Sequence, residues 1–133
     1  MVPERSNVIR MSNELHGRGV AKMAELDKET CDRLIETLKS VAPDFTKYVV
    51  EFAFGDVLSR PGLDVKTREL CTVSALTAMG TAPSQLRFHI QAALNVGCTR
   101  EQVLETIMQM VLYAGFRSEE HTSELQSRGL ISY

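Results

Sequence analysis

Apolar residues along this chain recur three and four positions apart and do not alternate with polar ones over a strand's length, so the pattern predicts helices. The first clear stripe is Leu34, Ile35 and Leu38, within residues 29–41. Pro43 and Asp44 then break the chain and recap it. Residues 45–58 carry Phe45, Tyr48, Val49, Phe52 and Ala53 on one predicted apolar face. Residues 59–64 read as a turn, in which Pro61-Gly62 supplies the bend and Asp64 is a good N-cap. The next helix is predicted over 65–79, stopped by Gly80. Another has Pro83 in its first turn, runs to Val96 and stops at Gly97. Thr99 and Gln102 form a capping box that opens a last helix, running to about Ala114 and ended by Gly115. Residues 1–26 are a weakly patterned extension, with Met11 a second candidate start. The predicted fold class is all-α, with short links between helices.

Two of these helices are too apolar for a single buried stripe. Residues 71–79 contain no charge, and residues 103–114 contain only Glu105. A helix that is apolar on most sides is buried on most sides. One domain of this size offers few wholly interior positions. Subunit interfaces are therefore expected to cover the remainder, and the chain to be a homo-oligomer.

Composition narrows the function classes. At 133 residues the chain is long enough for one domain, placed here at 27–116. Its 15 basic and 17 acidic residues leave no electrostatic footprint for nucleic acid. No apolar run approaches the roughly 18 residues of a membrane span, so no membrane partner is expected. The polar N-terminus has no apolar signal-peptide core, and a cytoplasmic location is expected. Cys31, Cys71 and Cys98 are far apart and form no C-x-x-C, which argues against a disulfide framework or a zinc site. They are read as buried thiols packed as small hydrophobes. Residues 117–133 resemble a translated sequencing adapter. They are therefore read as an artefact, with the biological sequence ending near Phe116 and His121 set aside.

The candidate chemistry centres on His89. It shares a predicted helix with Leu86, Ile90, Ala93 and Leu94, and by helical geometry borders their apolar stripe. Imidazole is the side chain suited to proton exchange near neutral pH. Glu51, Glu69, Arg60 and Arg68 lie at nearby sequence positions. Together they make a candidate acid/base site needing no cofactor or metal. The alternative is a histidine serving only the packing.

The blocks FAFGDVLSRPGLDVKTREL, LRFHIQAALNVG, TREQVLETIMQM and YAGF, in this order and spacing, resemble the carboxymuconolactone decarboxylase family, relatives of the alkyl-hydroperoxidase AhpD. The resemblance covers roughly residues 42–116. It implies an all-helical fold built around a helical hairpin that assembles into trimers or hexamers. The family's peroxidase branch carries a C-x-x-C ahead of the histidine. Aligned on His89, those positions hold Ala82 and Gln85, so peroxide reduction by a thiol pair is not expected. That branch also carries a proton-relay glutamate about twenty residues before the histidine, where this chain has Glu69.

The decarboxylase branch implies a small carboxylated substrate such as γ-carboxymuconolactone, from the degradation of aromatic compounds. Its lactone carbonyl accepts the electrons left by carbon dioxide. On this reading His89 is the general acid/base, Glu69 its partner or relay, and Glu51 a second candidate acid. Arg60 and Arg68 are candidate carboxylate anchors, because arginine grips a carboxylate bidentately. Two alternatives stand beside it: a non-catalytic oligomeric scaffold, and thiol chemistry through a single cysteine, for which Cys71 is the residue to modify.

Overall fold

The computed structural model describes residues 5–115, so the adapter-like tail, Phe116 and residues 1–4 lie outside the description. All regular structure among the described residues is helical, as the apolar spacing predicts. The order is α1 (Arg5–Val41), α2 (Pro43–Lys47), a π-helix (Tyr48–Asp56), a 3₁₀ turn (Val57–Ser59), α3 (Val65–Met79), α4 (Pro83–Asn95) and α5 (Arg100–Ala114). The chain divides into two compact units, the first ending at Leu63 and the second beginning at Asp64. The division falls within the turn that Pro61-Gly62 marks in the sequence.

The first unit begins with a helix that the apolar pattern leaves unassigned. α1 is helical from Arg5 and is interrupted at Asp27, whose backbone is extended (φ −163°, ψ 91°). The Asp27 carboxylate accepts the Thr30 N–H at 3.1 Å, so it caps a second helical stretch, 28–41. The inner side of α1 carries Gly19, Met23, Leu26 and Cys31, all buried.

Two glycines explain both the packing and the weak pattern. A Cβ on Gly19 would lie 2.0 Å from the Val50 carbonyl oxygen, and one on Gly55 would lie 2.1 Å from that of Leu15. Leu15 thus sits opposite Gly55 and Gly19 opposite Val50, an antiparallel crossing in which backbone meets backbone. Glycine costs a helix roughly 1 kcal/mol relative to alanine, so it reads as weak helix in a sequence. Here it is required because no side chain fits.

The predicted apolar face of 45–58 is not the buried one. Thr46, Val50, Phe54 and Gly55 are buried, while Phe45, Tyr48 and Phe52 are exposed. Thr46, Val50 and Phe54 recur at helical spacing just as Phe45, Tyr48 and Phe52 do, so periodicity alone does not choose between the two stripes. From Tyr48 to Asp56 the helix is a π-helix, whose wider turn places Val50 on one face with Gly55, five residues on.

The second unit follows the sequence closely. The Asp64 carboxylate caps α3, accepting the Thr67 N–H at 3.1 Å and the Thr67 hydroxyl at 2.7 Å. Gly80, at φ 62°, ends that helix in the left-handed conformation that glycine reaches without strain. Pro83 opens α4. The Thr99–Gln102 capping box is complete, with side-chain-to-backbone bonds of 3.0 and 2.9 Å. The three helices close on one cluster: Val73, Leu86, Ile90, Ala93, Cys98, Val103 and Ile107. The apolar helices α3 and α5 nevertheless leave Met79, Met108, Leu112 and Tyr113 exposed.

Two outcomes are expected from this architecture. Gly19→Ala and Gly55→Ala each destabilise by about 1–3 kcal/mol or more, as overpacking does, in urea unfolding followed by circular dichroism. Gly17, where an added Cβ would meet nothing within 4 Å, accepts alanine without loss. The second concerns acid. The Thr67 hydroxyl, then its N–H, hold the Asp64 carboxyl below its ordinary value of 3.8. A carboxyl lowered in the folded state stabilises above its unfolded pKa, and that contribution is lost as pH falls through the folded value. Asp64→Asn should therefore flatten the fall in melting temperature between about pH 5 and pH 2.

Candidate functional site

Glu69 and His89 are brought together. Glu69 lies one helical turn before Val73 on the core-facing side of α3, and it is fully buried. His89 stands beside Ile90 on α4, its side chain only 13% exposed. The Glu69 Oε2 to His89 Nδ1 distance is 2.8 Å. The two residues are twenty positions apart, so the contact depends on how α4 packs against α3. Phe88 meets the imidazole edge-on, with ring centroids 4.8 Å apart.

With Glu69 as a carboxylate, which accepts hydrogen bonds and does not donate them, Nδ1 is the donor in this contact. Nε2 is the nitrogen left to exchange a proton with something else. Glu69 also fixes the ring's orientation. Its other oxygen, Oε1, is buried and has no hydrogen-bond partner among the described residues, and the same holds for the Thr77 hydroxyl on the same face of α3. A buried polar atom left unpaired costs roughly 1–3 kcal/mol.

The other predicted residues are placed differently. Glu51 belongs to the π-helix of the first unit, where the Ser12 hydroxyl donates to both its oxygens at 3.0 and 3.1 Å. His16 Nδ1 and Lys47 Nζ lie 3.8 and 3.9 Å from the same carboxylate. The pattern of α1 gave no signal for Ser12 or His16. Arg60 forms a two-pronged bond with Asp56, at 2.9 and 3.1 Å, and is exposed. That contact holds the Asp56 carboxyl below its usual value. Arg68 is partly buried and immediately precedes Glu69 on α3.

The cysteines divide. Cys31 and Cys98 are buried, but Cys71 is exposed, contrary to the expectation that all three pack as interior thiols. Cys71 falls on the side of α3 away from Glu69 and Val73. Burial pushes the Cys98 thiol up from its ordinary value. Among the described residues no group of three or more His, Cys, Asp or Glu side chains could hold a metal ion, and no helix is long and apolar enough to cross a membrane.

Native labelling with iodoacetamide should accordingly modify Cys71 first and leave Cys31 and Cys98 unmodified until the protein unfolds. Peptide mass spectrometry checks this directly.

Residues 43–125 match the profile described as the carboxymuconolactone decarboxylase family. The chain is 39% identical over 90 residues to a 4-carboxymuconolactone decarboxylase of Acinetobacter baylyi, covering 68% of this chain and 66% of that relative. It is 34% identical over 92 residues to an uncharacterized 15.0 kDa protein, from the nqo9-nqo10 intergenic region of Paracoccus denitrificans, covering 68% and 69%. It is 29% identical over 109 residues to the nitrosuccinic acid decarboxylase npaB of Metarhizium robertsii, covering 78% and 76%. The aligned part thus spans just under two thirds of the first relative's length.

Proposed function

We propose, from the premise that this chain belongs to the carboxymuconolactone decarboxylase family, that it is a cofactor-independent decarboxylase of a small carboxylated substrate. The observation that carries this reading is the buried Glu69 carboxylate bonded to His89 Nδ1 at 2.8 Å. Loss of carbon dioxide breaks a carbon–carbon bond and leaves its electron pair on the substrate. Two things are then needed: a place for that pair, and a proton for the carbon.

The relatives' names point to where the electrons go. One is named for a carboxymuconolactone and another for nitrosuccinic acid. A lactone carbonyl conjugated to the departing carboxylate accepts the pair as a dienolate. A nitro group on the carbon that loses its carboxylate accepts it as a nitronate. Both sinks belong to the substrate, so the protein is left with binding, orientation and proton delivery. The substrate class proposed here is a carboxylate attached next to such a built-in sink, with γ-carboxymuconolactone the first candidate.

In this mechanism His89 Nε2 delivers the proton to carbon, and Glu69 holds the ring and stabilises its charge while the proton is on it. Proton transfer of this kind contributes roughly 10²–10⁴-fold. A cationic or hydrogen-bonding group stabilises the dienolate oxygen. Arg68, which precedes Glu69 in α3, and Arg60, whose fork bonds Asp56, are the candidate carboxylate anchors. Glu51 stands as a second candidate acid, with its carboxylate tied to Ser12.

The test follows disappearance of γ-carboxymuconolactone with wild type, His89→Ala and His89→Asn, all first shown to fold and assemble alike. His89→Ala leaves a buried carboxylate alone, at a cost on the order of 3–5 kcal/mol. Asparagine retains an N–H for Glu69 and has no ring to carry a proton. Both variants should lose about 10²–10⁴-fold in kcat/KM, Arg68→Ala should chiefly raise KM, and alkylation of Cys71 should change nothing. Turnover surviving in His89→Asn would remove His89 from the mechanism and leave Glu51 and Glu69 as the acids to test. No turnover by wild type on this substrate or on nitrosuccinate would reject the substrate class. A protein that turns over neither and loses only stability in His89→Ala is a scaffold.

A further inference from the structure

An imidazole turns about its Cβ–Cγ bond between two broad wells, half a turn apart. The Glu69 bond chooses between them, because a ring turned the other way would present the carbon Cδ2 to the carboxylate in place of Nδ1. Within the chosen well the same bond is a loose restraint. A hydrogen bond tolerates a bend of about 30° before it weakens. A group that hands over a proton must be held within about 0.5 Å and 10–20° of its working geometry. Glu69 is the one hydrogen-bond partner of His89 among the described residues, so the tilt of the ring needs a restraint of another kind.

We propose that Phe88 supplies it and is a positioning residue of the dyad: its ring fixes the plane of the His89 imidazole, and so the direction in which Nε2 points. The two ring centroids lie 4.8 Å apart and the planes stand at 84°. That separation falls in the range of roughly 4.5–7 Å at which edge-to-face pairs attract. The attraction depends on the angle between the planes, because an aromatic edge is positive and an aromatic face negative. Tilting the imidazole spoils this contact while leaving the Glu69 bond nearly intact, so the two restraints act on different motions. The placement of Phe88 supports the same role. It is partly buried on α4 between Leu86 and Ile90, yet it belongs neither to the core cluster those two residues enter nor to the leucines packed against it. Its ring contact is with His89 instead. His16 offers the contrast: its Nδ1 lies 3.8 Å from Glu51, its side chain is 56% exposed, and it has no ring contact among the described residues. The consequence for turnover rests on the decarboxylase reading, whereas the restraint on the ring does not.

The test is NMR relaxation of the full chain carrying carbon-13 at histidine Cε1, with signals assigned from His89→Asn and His16→Asn. In wild type the His89 ring should have an order parameter near that of rigid backbone, about 0.85, and the His16 ring one below about 0.6. Phe88→Leu should lower the His89 value towards that of His16 and leave the Nδ1–H tautomer, read from the ring nitrogen-15 shifts, unchanged. Phe88→Tyr keeps an aromatic ring and should keep the order. A Phe88→Leu protein with an altered helical circular dichroism signal is replaced by Phe88→Met. A His89 ring that stays equally ordered without Phe88 would overturn the proposal. So would loss of the tautomer, since Phe88 would then be supporting the Glu69 bond and not the tilt. With γ-carboxymuconolactone, Phe88→Leu should lower kcat by about 10-fold at unchanged KM, a part of the roughly 10²-fold that a misplacement of about 1 Å costs. Phe88→Tyr should keep most of the turnover. A disordered ring with full kcat would overturn the positioning role. Absence of turnover by wild type would count against the decarboxylase reading, and the ring order would then decide the proposal by itself.

Discussion

A carboxylate taken out of water must be paired, or its charged form becomes untenable, and Glu69 meets that requirement with one hydrogen bond to His89. Much of the second unit's geometry is needed for that bond. α3 must place Glu69 one turn before Val73, and α4 must place His89 beside Ile90. The cluster of Val73, Leu86, Ile90, Ala93, Val103 and Ile107 must hold the two helices at a fixed register. A slip of one residue in either helix would turn a side chain by about 100° and part the pair. The apolar core thus does positional work for the polar pair, and the pair in turn discourages other registers, because each of them leaves a buried charge alone.

The first unit is held by a different constraint. Gly19 and Gly55 allow two helical backbones to touch, and the π-helix supplies the register that brings Val50, Phe54 and Gly55 to α1 together. π-Turns are uncommon and tend to be found at functional sites. Here the wide turn also carries Glu51 inward to Ser12 while turning Tyr48 and Phe52 outward.

The sequence was legible where the signal is local. The Asp64 cap, the Gly80 stop, Pro83 at the start of α4 and the Thr99–Gln102 box all act within one turn of the chain, and the structure has each of them. It was illegible where the determinant is tertiary. Gly19 reads as a helix breaker until Val50 is known to press against it, and Phe45, Tyr48 and Phe52 read as core because their helical spacing competes with that of Thr46, Val50 and Phe54. The Glu69–His89 contact was within reach only through a family resemblance, because nothing in the apolar spacing relates α3 to α4 across twenty residues. Ser12 and His16 had no signal, since a polar residue on a weakly patterned helix has no reason to be singled out. The exposure of Cys71 follows from its place on the far side of α3 from Glu69 and Val73, which helical spacing alone could have shown.

The economy of the proposed chemistry explains why so small a site suffices. A decarboxylase whose substrate lacks an electron sink must bring one, and with it the residues that bind a cofactor. When the substrate carries its own sink, the barrier left to the protein lies in fixing the carboxylate out of the sink's plane and returning a proton to the right carbon. A dyad of one buried carboxylate and one oriented imidazole can perform the second task, and a single guanidinium can contribute to the first. What such a site cannot do is choose among substrates by its chemistry, since any carboxylate next to a sink satisfies it. Selectivity must then come from the shape of the walls around His89 Nε2. Walls can differ from one relative to the next, and two relatives are named for substrates as unlike as a lactone and a nitro acid.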